Sequence, residues 1–267
     1  MSASSHLDEC SWCTLSMLVH APSKVGKTTL AATAPLPLVA LDAEGGWKWI
    51  HNAPFIKEMY GRSLVRKDWN PLREPPPQYD GTWDFCVVTV RDWETVRRTY
   101  DWLTQSPHQF VSVVIDSITE IQRRCKANLV GTEQMRIQDW GVLLSYMDNI
   151  IRGFRDLTLI DELSVRCVVF IAETRQNSSG KWRPYMQGQI EVSLPYWVDV
   201  CGYLYVTSEL DANGQPNGQI SRNLLVSPHD PQFEAGERVQ GRLGTVVKNP
   251  NITTIMNTIY PREESNQ

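Results

Sequence analysis

No run of apolar residues in this chain approaches the length that spans a bilayer, and its first residues carry neither a basic stretch nor an apolar signal core. Those absences predict a soluble, cytoplasmic protein with no membrane partner. An excess of positive charge is missing too: 26 Lys and Arg stand against 30 Asp and Glu, a formal net charge of -4. Any nucleic acid has to be met by local loops and not by a basic face. Cysteine is sparse, with six in all. Cys86, Cys125, Cys167 and Cys201 lie in apolar or periodic segments and read as small buried hydrophobes. Cys10 and Cys13 form a lone C-x-x-C whose only companions for a zinc site are His6 and His20, and His20 is wanted at a strand end. Without a secretory signal, disulfides are not expected either.

What is present is an alternation of strand and helix patterns. With 267 residues and 42% hydrophobic content the chain can bury one substantial α/β core, and a single domain over 1–267 is expected. Residues 12–19, 36–41, 85–90, 110–115 and 165–172 read as buried strands. Asp92 caps a helix whose Trp93, Val96, Tyr100 and Leu103 share a face, and from Asp139 the spacing of Trp140, Leu143, Leu144, Met147, Ile150, Ile151, Phe154 and Leu157 gives a long amphipathic helix. Such alternation means a mainly parallel sheet flanked by helices, with ligands beyond the carboxyl ends of its strands. The Pro-rich stretch 52–84 reads as an irregular insertion, and 1–11 and 261–267 as tails. Residues 200–208 and 219–227 flank a Gly, Pro and Asn-rich turn, which predicts an antiparallel hairpin extending the sheet. Asn251 caps a last short helix.

Residues 21–28, Ala-Pro-Ser-Lys-Val-Gly-Lys-Thr, follow the first strand and open a helix, the context of a phosphate-binding loop. Pro22, Ser23, Lys24, Val25, Gly26, Lys27, Thr28 and Thr29 are the expected nucleotide contacts. Gly26 lets backbone N–H groups turn onto the phosphates, Lys27 reaches the β and γ oxygens, and the Thr28 hydroxyl ligates Mg²⁺. Ala21 stands where the pattern has its first glycine, at a cost of about 1 kcal/mol if that position needs positive φ.

Carboxylates occupy the ends of later strands. Asp116, after Val113-Val114-Ile115, suits the water shell of the Mg²⁺ that Thr28 holds, although an N-cap role is the bland alternative. Glu44 closes Leu41-Asp42-Ala43-Glu44, read as the strand beside the phosphate-loop strand, where it can polarise a water in line with the γ-phosphate. Asp42 reads first as structural, hydrogen-bonded to backbone, and, because its alternation with Glu44 points both side chains the same way, stays a weaker candidate for the same role.

Together these stretches resemble the RecA-like P-loop ATPase core, in which the catalytic glutamate follows the second strand. More closely, Gly26 to Ala31 (GKTTLA), LDAEGG, VVIDSITEI, the QDWG helix start and the later GYLYV hairpin resemble the small phage-encoded ATPases of the Sak-type single-strand annealing or recombinase family. The likeness runs from about residue 14 to residue 260. It implies ATP and Mg²⁺ as cofactors, hydrolysis at an interface between copies in a ring or filament, single-stranded DNA and a single-strand-binding protein as partners, and the host cytoplasm as the site of action. It also implies roles for particular residues. Glu173 falls where the family has its γ-phosphate sensor, with Arg175 or Gln176 as alternatives because an acid beside phosphate needs a cation nearby. The loop 176–189, with Lys181, Trp182, Arg183 and Tyr185 beside Arg175, is expected to be mobile and DNA-binding, and Arg136 in the loop 128–138 is a further DNA contact. Arg238 or Lys248 looks similar in position to the cation that a neighbouring copy supplies, with an unspecific surface cation as the alternative for each. A hexameric helicase motor core is the alternative, disfavoured because only about a dozen residues precede the first strand, and a non-catalytic nucleotide-dependent scaffold is the third reading.

Two substitutions test the loop and the base. Lys27→Ala should show neither nucleotide binding by titration calorimetry nor phosphate release. Glu44→Gln should still bind ATP but turn over at least about a hundredfold more slowly; normal turnover would move the base elsewhere.

Overall fold

A computed structural model describes residues 13–210 and 215–261. Along the chain run β1 (Leu15–Ala21), α1 (Lys27–Ala31), β2 (Leu38–Asp42), a 3₁₀ turn (Gly46–Asn52), α2 (Pro54–Tyr60), β3 (Arg66–Asp68), β4 (Phe85–Thr89), α3 (Trp93–Gln105) and β5 (Ser112–Asp116). There follow α4 (Ile118–Val130), α5 (Ile137–Asp156), β6 (Cys167–Gln176), β7 (Trp182–Pro184), α6 (Ile190–Trp197), the hairpin β8 (Val200–Leu210) and β9 (Pro216–Leu225), β10 (Gly236–Glu237), β11 (Val246–Lys248) and α7 (Ile252–Ile259). Strands lie in the order β11-β9-β8-β1-β6-β5-β2-β4-β3. From β8 to β3 every neighbouring pair is parallel, and β9 and β11 extend the sheet antiparallel.

The central strands are apolar throughout because both sheet faces are covered. Alternate residues go to opposite cores. Leu18, Leu41, Val113, Ile115, Val168 and Phe170 pack on the side of α3, α4, α5 and α6, while Met17, Val19, Leu38, Val114, Val169 and Ile171 pack on the side of α1, the 3₁₀ turn and α7. Among the described residues no helix is long and apolar enough to cross a membrane.

The structure corrects the sequence reading at several places. β2 does not lie beside β1; it pairs with β4 and β5, and β1 lies between β6 and β8. The acid-bearing β2 therefore reaches the phosphate loop across β5 and β6, an order that crossover connections allow and that local sequence does not encode. The 52–84 stretch is not wholly irregular, since α2 and β3 lie in it; residues 61–65 and 69–84, which hold the proline run, are without a regular element. Pro54 is at the first turn of α2, where its missing N–H costs nothing. In the expected loop 128–138, α4 continues to Val130 and α5 begins at Ile137. Cys13 is disulfide-bonded, contrary to the expectation of reduced cysteines. His6, Cys10, the tail 1–11, the middle of the hairpin turn and 262–267 lie outside the described residues. His20 is no zinc ligand: its Nδ1 is 3.0 Å from Thr174 Oγ1 and its Nε2 2.6 Å from the Glu234 carbonyl, and burial lowers its pKa to about 4.

Two caps anticipated from sequence form. Asp92 accepts from the Thr95 N–H at 2.8 Å and from its hydroxyl at 2.7 Å, and Asn251 accepts from the Thr254 N–H at 3.0 Å. Asp92→Ala should cost about 1 kcal/mol and lower Tm by roughly 2–4 °C, read by urea and thermal unfolding. An unchanged midpoint would show that the cap contributes nothing.

Candidate nucleotide site

The loop between β1 and α1 has the backbone of a phosphate cradle. Gly26 is left-handed at φ 109° and caps α1. Ala21 closes β1 in register with Glu173, so the missing first glycine carries no backbone strain. The strained residue is Lys24, at φ 63°, worth about 1 kcal/mol. α1 has only five residues, so backbone N–H groups of the loop and not a long helix dipole must bind an anion.

Lys27 extends back over the loop, its Nζ donating to the Ala21 and Pro22 carbonyls, each at 3.0 Å. Burial lowers its pKa, while the charges of Glu44, Asp116 and Glu173 oppose that shift. Those carboxylates come from the ends of β2, β5 and β6, so the parallel sheet delivers to one ammonium the acids that the sequence scatters over 130 positions.

Asp116 is buried. Its Oδ2 accepts from the Thr28 hydroxyl at 2.7 Å and from the Trp47 indole N–H at 3.1 Å. Burial pushes its pKa up to about 6, with the charges of Glu44 and Asp42 adding and the two hydrogen bonds opposing. Glu44 sits just past β2, and its Oε1 accepts from the Ser117 hydroxyl. Asp42 is structural: its carboxylate accepts from the backbone N–H groups of Glu44, Gly45, Gly46 and Trp47 at 2.7 to 3.3 Å and folds the turn that carries Glu44. Thr28 and Asp116 present hard oxygens 2.7 Å apart beside Lys27, a donor set that fits Mg²⁺ next to a polyphosphate.

Glu173 is answered by a cation the sequence reading did not name. Arg123 of α4 grips it with two bonds, at 2.7 and 2.9 Å, and also meets Glu120 at 3.1 Å. These partners raise the Arg123 pKa further above its already high value. Arg123 and Arg175 both lie against the Tyr185 ring, at 5.8 and 5.2 Å from its centroid.

The expected loop 176–189 is in part an ordered ribbon, because β7 pairs antiparallel with the end of β6. Lys181 and Arg183 are not unpaired cations: both bind Glu234, at 2.9 and 2.8 Å. Trp182 is half-buried against Tyr203, Leu225 and Ala235, which leaves little of its face for a base. Arg175 instead lines a cleft of about 500 Å³ with Trp140, Tyr185, Met186, Gly188 and Glu191. Arg136 is exposed at the start of α5, 3.5 Å from Asp139. Arg238 donates to the Tyr196 carbonyl, and Lys248 is exposed on the outermost strand β11.

Trp47, Ser117 and Arg123 were missed by sequence reasoning. Each acts at the site through a contact between elements far apart in sequence; the Ser-x-x-Glu spacing of Ser117 and Glu120 signals only a helix cap, which forms with the Glu120 N–H donating to Ser117 Oγ at 3.2 Å.

A lysine and a threonine behind a left-handed glycine, faced by carboxylates from other strand ends of a mostly parallel sheet, define a RecA-like P-loop nucleoside triphosphatase fold. The chain belongs to the AAA domain family, whose model matches residues 14–239. No curated protein matches it. Similar solved structures include the RadB recombinase, 18% identical over 88% of this chain and 86% of that one with a TM-score of 0.47. The flagellar accessory protein FlaH from Methanocaldococcus jannaschii is 7% identical over 84% and 82%, TM-score 0.41. A KaiC-like protein from Pyrococcus horikoshii OT3 is 14% identical over 79% and 77%, TM-score 0.38.

The Asp116 shift has a definite sign. Between about pH 4 and about pH 6 the folded metal-free protein keeps a proton that the unfolded chain has released, so stability falls as pH rises through that window. Asp116→Asn should remove this slope and stabilise the metal-free protein near neutral pH by on the order of 1–3 kcal/mol. Urea unfolding across that range checks it; identical slopes in both proteins would refute it.

Proposed function

We propose that this protein is an ATP-dependent, single-stranded-DNA-binding recombinase or annealing protein of the phage Sak type. It hydrolyses ATP with Mg²⁺ at an interface between copies of itself, in a ring or filament, and serves homologous recombination in a host cytoplasm, alongside a single-strand-binding protein. One observation carries the reading furthest: strand β6 holds Glu173 within electrostatic reach of Lys27 and, two residues on, Arg175 in an aromatic cleft.

At the nucleotide site Lys27 binds the β and γ oxygens, and the N–H groups of residues 23–28 orient the phosphates. Thr28 and Asp116 would hold Mg²⁺, which when bound would supply a Lewis acid to neutralise charge on those oxygens. Glu44 takes a proton from the attacking water, and the Ser117 hydroxyl, donating to Glu44 Oε1, holds that carboxylate in place. Arg238 or Lys248 of a neighbouring copy completes the pocket. Glu173 with Arg123 senses the state of the γ-phosphate, and because Arg123 and Arg175 share the Tyr185 ring, a shift of that pair moves the wall of the cleft.

In the cleft, Trp140 and Tyr185 offer faces to bases, and Arg175 with Arg136 offers cations to phosphates. Lys181 and Arg183 join them only if Glu234 releases its hold.

Phosphate release measured with and without single-stranded DNA over a salt series tests the proposal. Stimulation that declines as salt rises is expected, and Arg175→Ala should reduce it while leaving DNA-free turnover intact. Absence of stimulation at every salt concentration would favour a nucleotide-dependent scaffold, and DNA unwinding would favour a helicase.

A further inference from the structure

Arg222, on β9 of the C-terminal hairpin, lies against the phosphate loop although 194 positions separate it from Thr28. Its Nε donates to the Val25 carbonyl at 3.1 Å. A Cβ on Gly26 would stand 2.7 Å from that Nε and 3.5 Å from Cζ, so the guanidinium packs on the bare glycine. Gly26 thus meets two demands, a left-handed backbone and room for an arginine. The Arg222 backbone is held from both sides. It pairs with Val206 across the hairpin, its carbonyl accepts from the Asn249 N–H at 2.7 Å, and its N–H donates to Asn249 Oδ1 at 3.3 Å. Asn249 takes a left-handed φ of 44° to do so. The side chain is half-buried, and among the described residues its two terminal nitrogens have no protein partner.

A staple for the loop would need only the Nε bond. A fixed, half-buried guanidinium with both Nη groups unpartnered at the rim of an anion cradle is a binding group for an anion. We propose that Arg222 is a nucleotide-binding residue in cis, its Nη groups donating to phosphate oxygens of the nucleotide gripped by residues 22–29. The hairpin is then part of the site and not only an extension of the sheet. This rests on the nucleotide reading of the loop, and it adds a cation from the same copy to any that a neighbour supplies.

Binding of ADP with Mg²⁺ by the unaltered protein, Arg222→Gln and Arg222→Lys, measured by calorimetry alongside nucleotide-free melting curves, decides the matter. The Gln variant should bind ADP about tenfold or more weakly, the Lys variant should recover most of the loss, and the nucleotide-free melting temperatures should agree. Equal affinities in all three, or equal losses in Gln and Lys with a matching fall in melting temperature, would overturn the inference while leaving the nucleotide site standing. Failure of the unaltered protein to bind ADP would instead overturn the nucleotide reading and this inference with it. If Arg222→Gln does not fold, phenylglyoxal labelling of the unaltered protein serves: saturating ADP should slow modification of Arg222 and not of exposed Arg73, and equal slowing or no slowing of both would overturn the proposal.

Discussion

A half-buried ammonium faced by carboxylates from other strand ends is the constraint around which this protein is organised. Burial disfavours the charged form of Lys27 and lowers its pKa, and the charges of Glu44, Asp116 and Glu173 oppose that shift. The acids in turn repel one another. Each is therefore given a partner: Asp116 the Thr28 hydroxyl and the Trp47 indole, Glu44 the Ser117 hydroxyl, Glu173 the Arg123 guanidinium. A polyphosphate brings more negative charge to this balance, which is why the available positive groups at the loop matter.

The same geometry accounts for how the nucleotide site and the cleft are joined. Glu173 accepts the Tyr185 N–H at 2.7 Å through its carbonyl, and its own N–H donates to Thr119 Oγ1 at 3.0 Å, while its carboxylate holds Arg123. Within a few residues the end of β6 thus touches the loop, helix α4 and the wall of the cleft. The contacts form a contiguous physical path between the nucleotide site and the cleft.

Much of the fold was legible locally. The strands of the parallel core are continuous apolar runs because both faces are covered, and the caps at Asp92 and Asn251 follow from side-chain oxygens meeting free N–H groups one turn on. The loop with Lys27 and Thr28 and the acids Glu44 and Asp116 were visible because each follows such a run. The prolines of the insertion hide the short helix Pro54–Tyr60 and strand Arg66–Asp68 that precede them, because a breaker constrains only its own neighbourhood. The composition of 176–189 and the family resemblance both suggest a mobile segment, whereas its Lys181 and Arg183 are held by Glu234, fifty-odd positions downstream.

Residue order alone determined which chemistry is present: a cradle with a lysine and a threonine, acids after buried strands, and turns where glycine and proline demand them, all of which arise from interactions over a few residues. Strand order, the crossing of β5 and β6 between Glu44 and the loop, and the arrival of Trp47, Ser117, Arg123 and Arg222 were decided only by the tertiary structure. Those contacts depend on which elements lie side by side in the sheet, and that is settled by packing of the whole core.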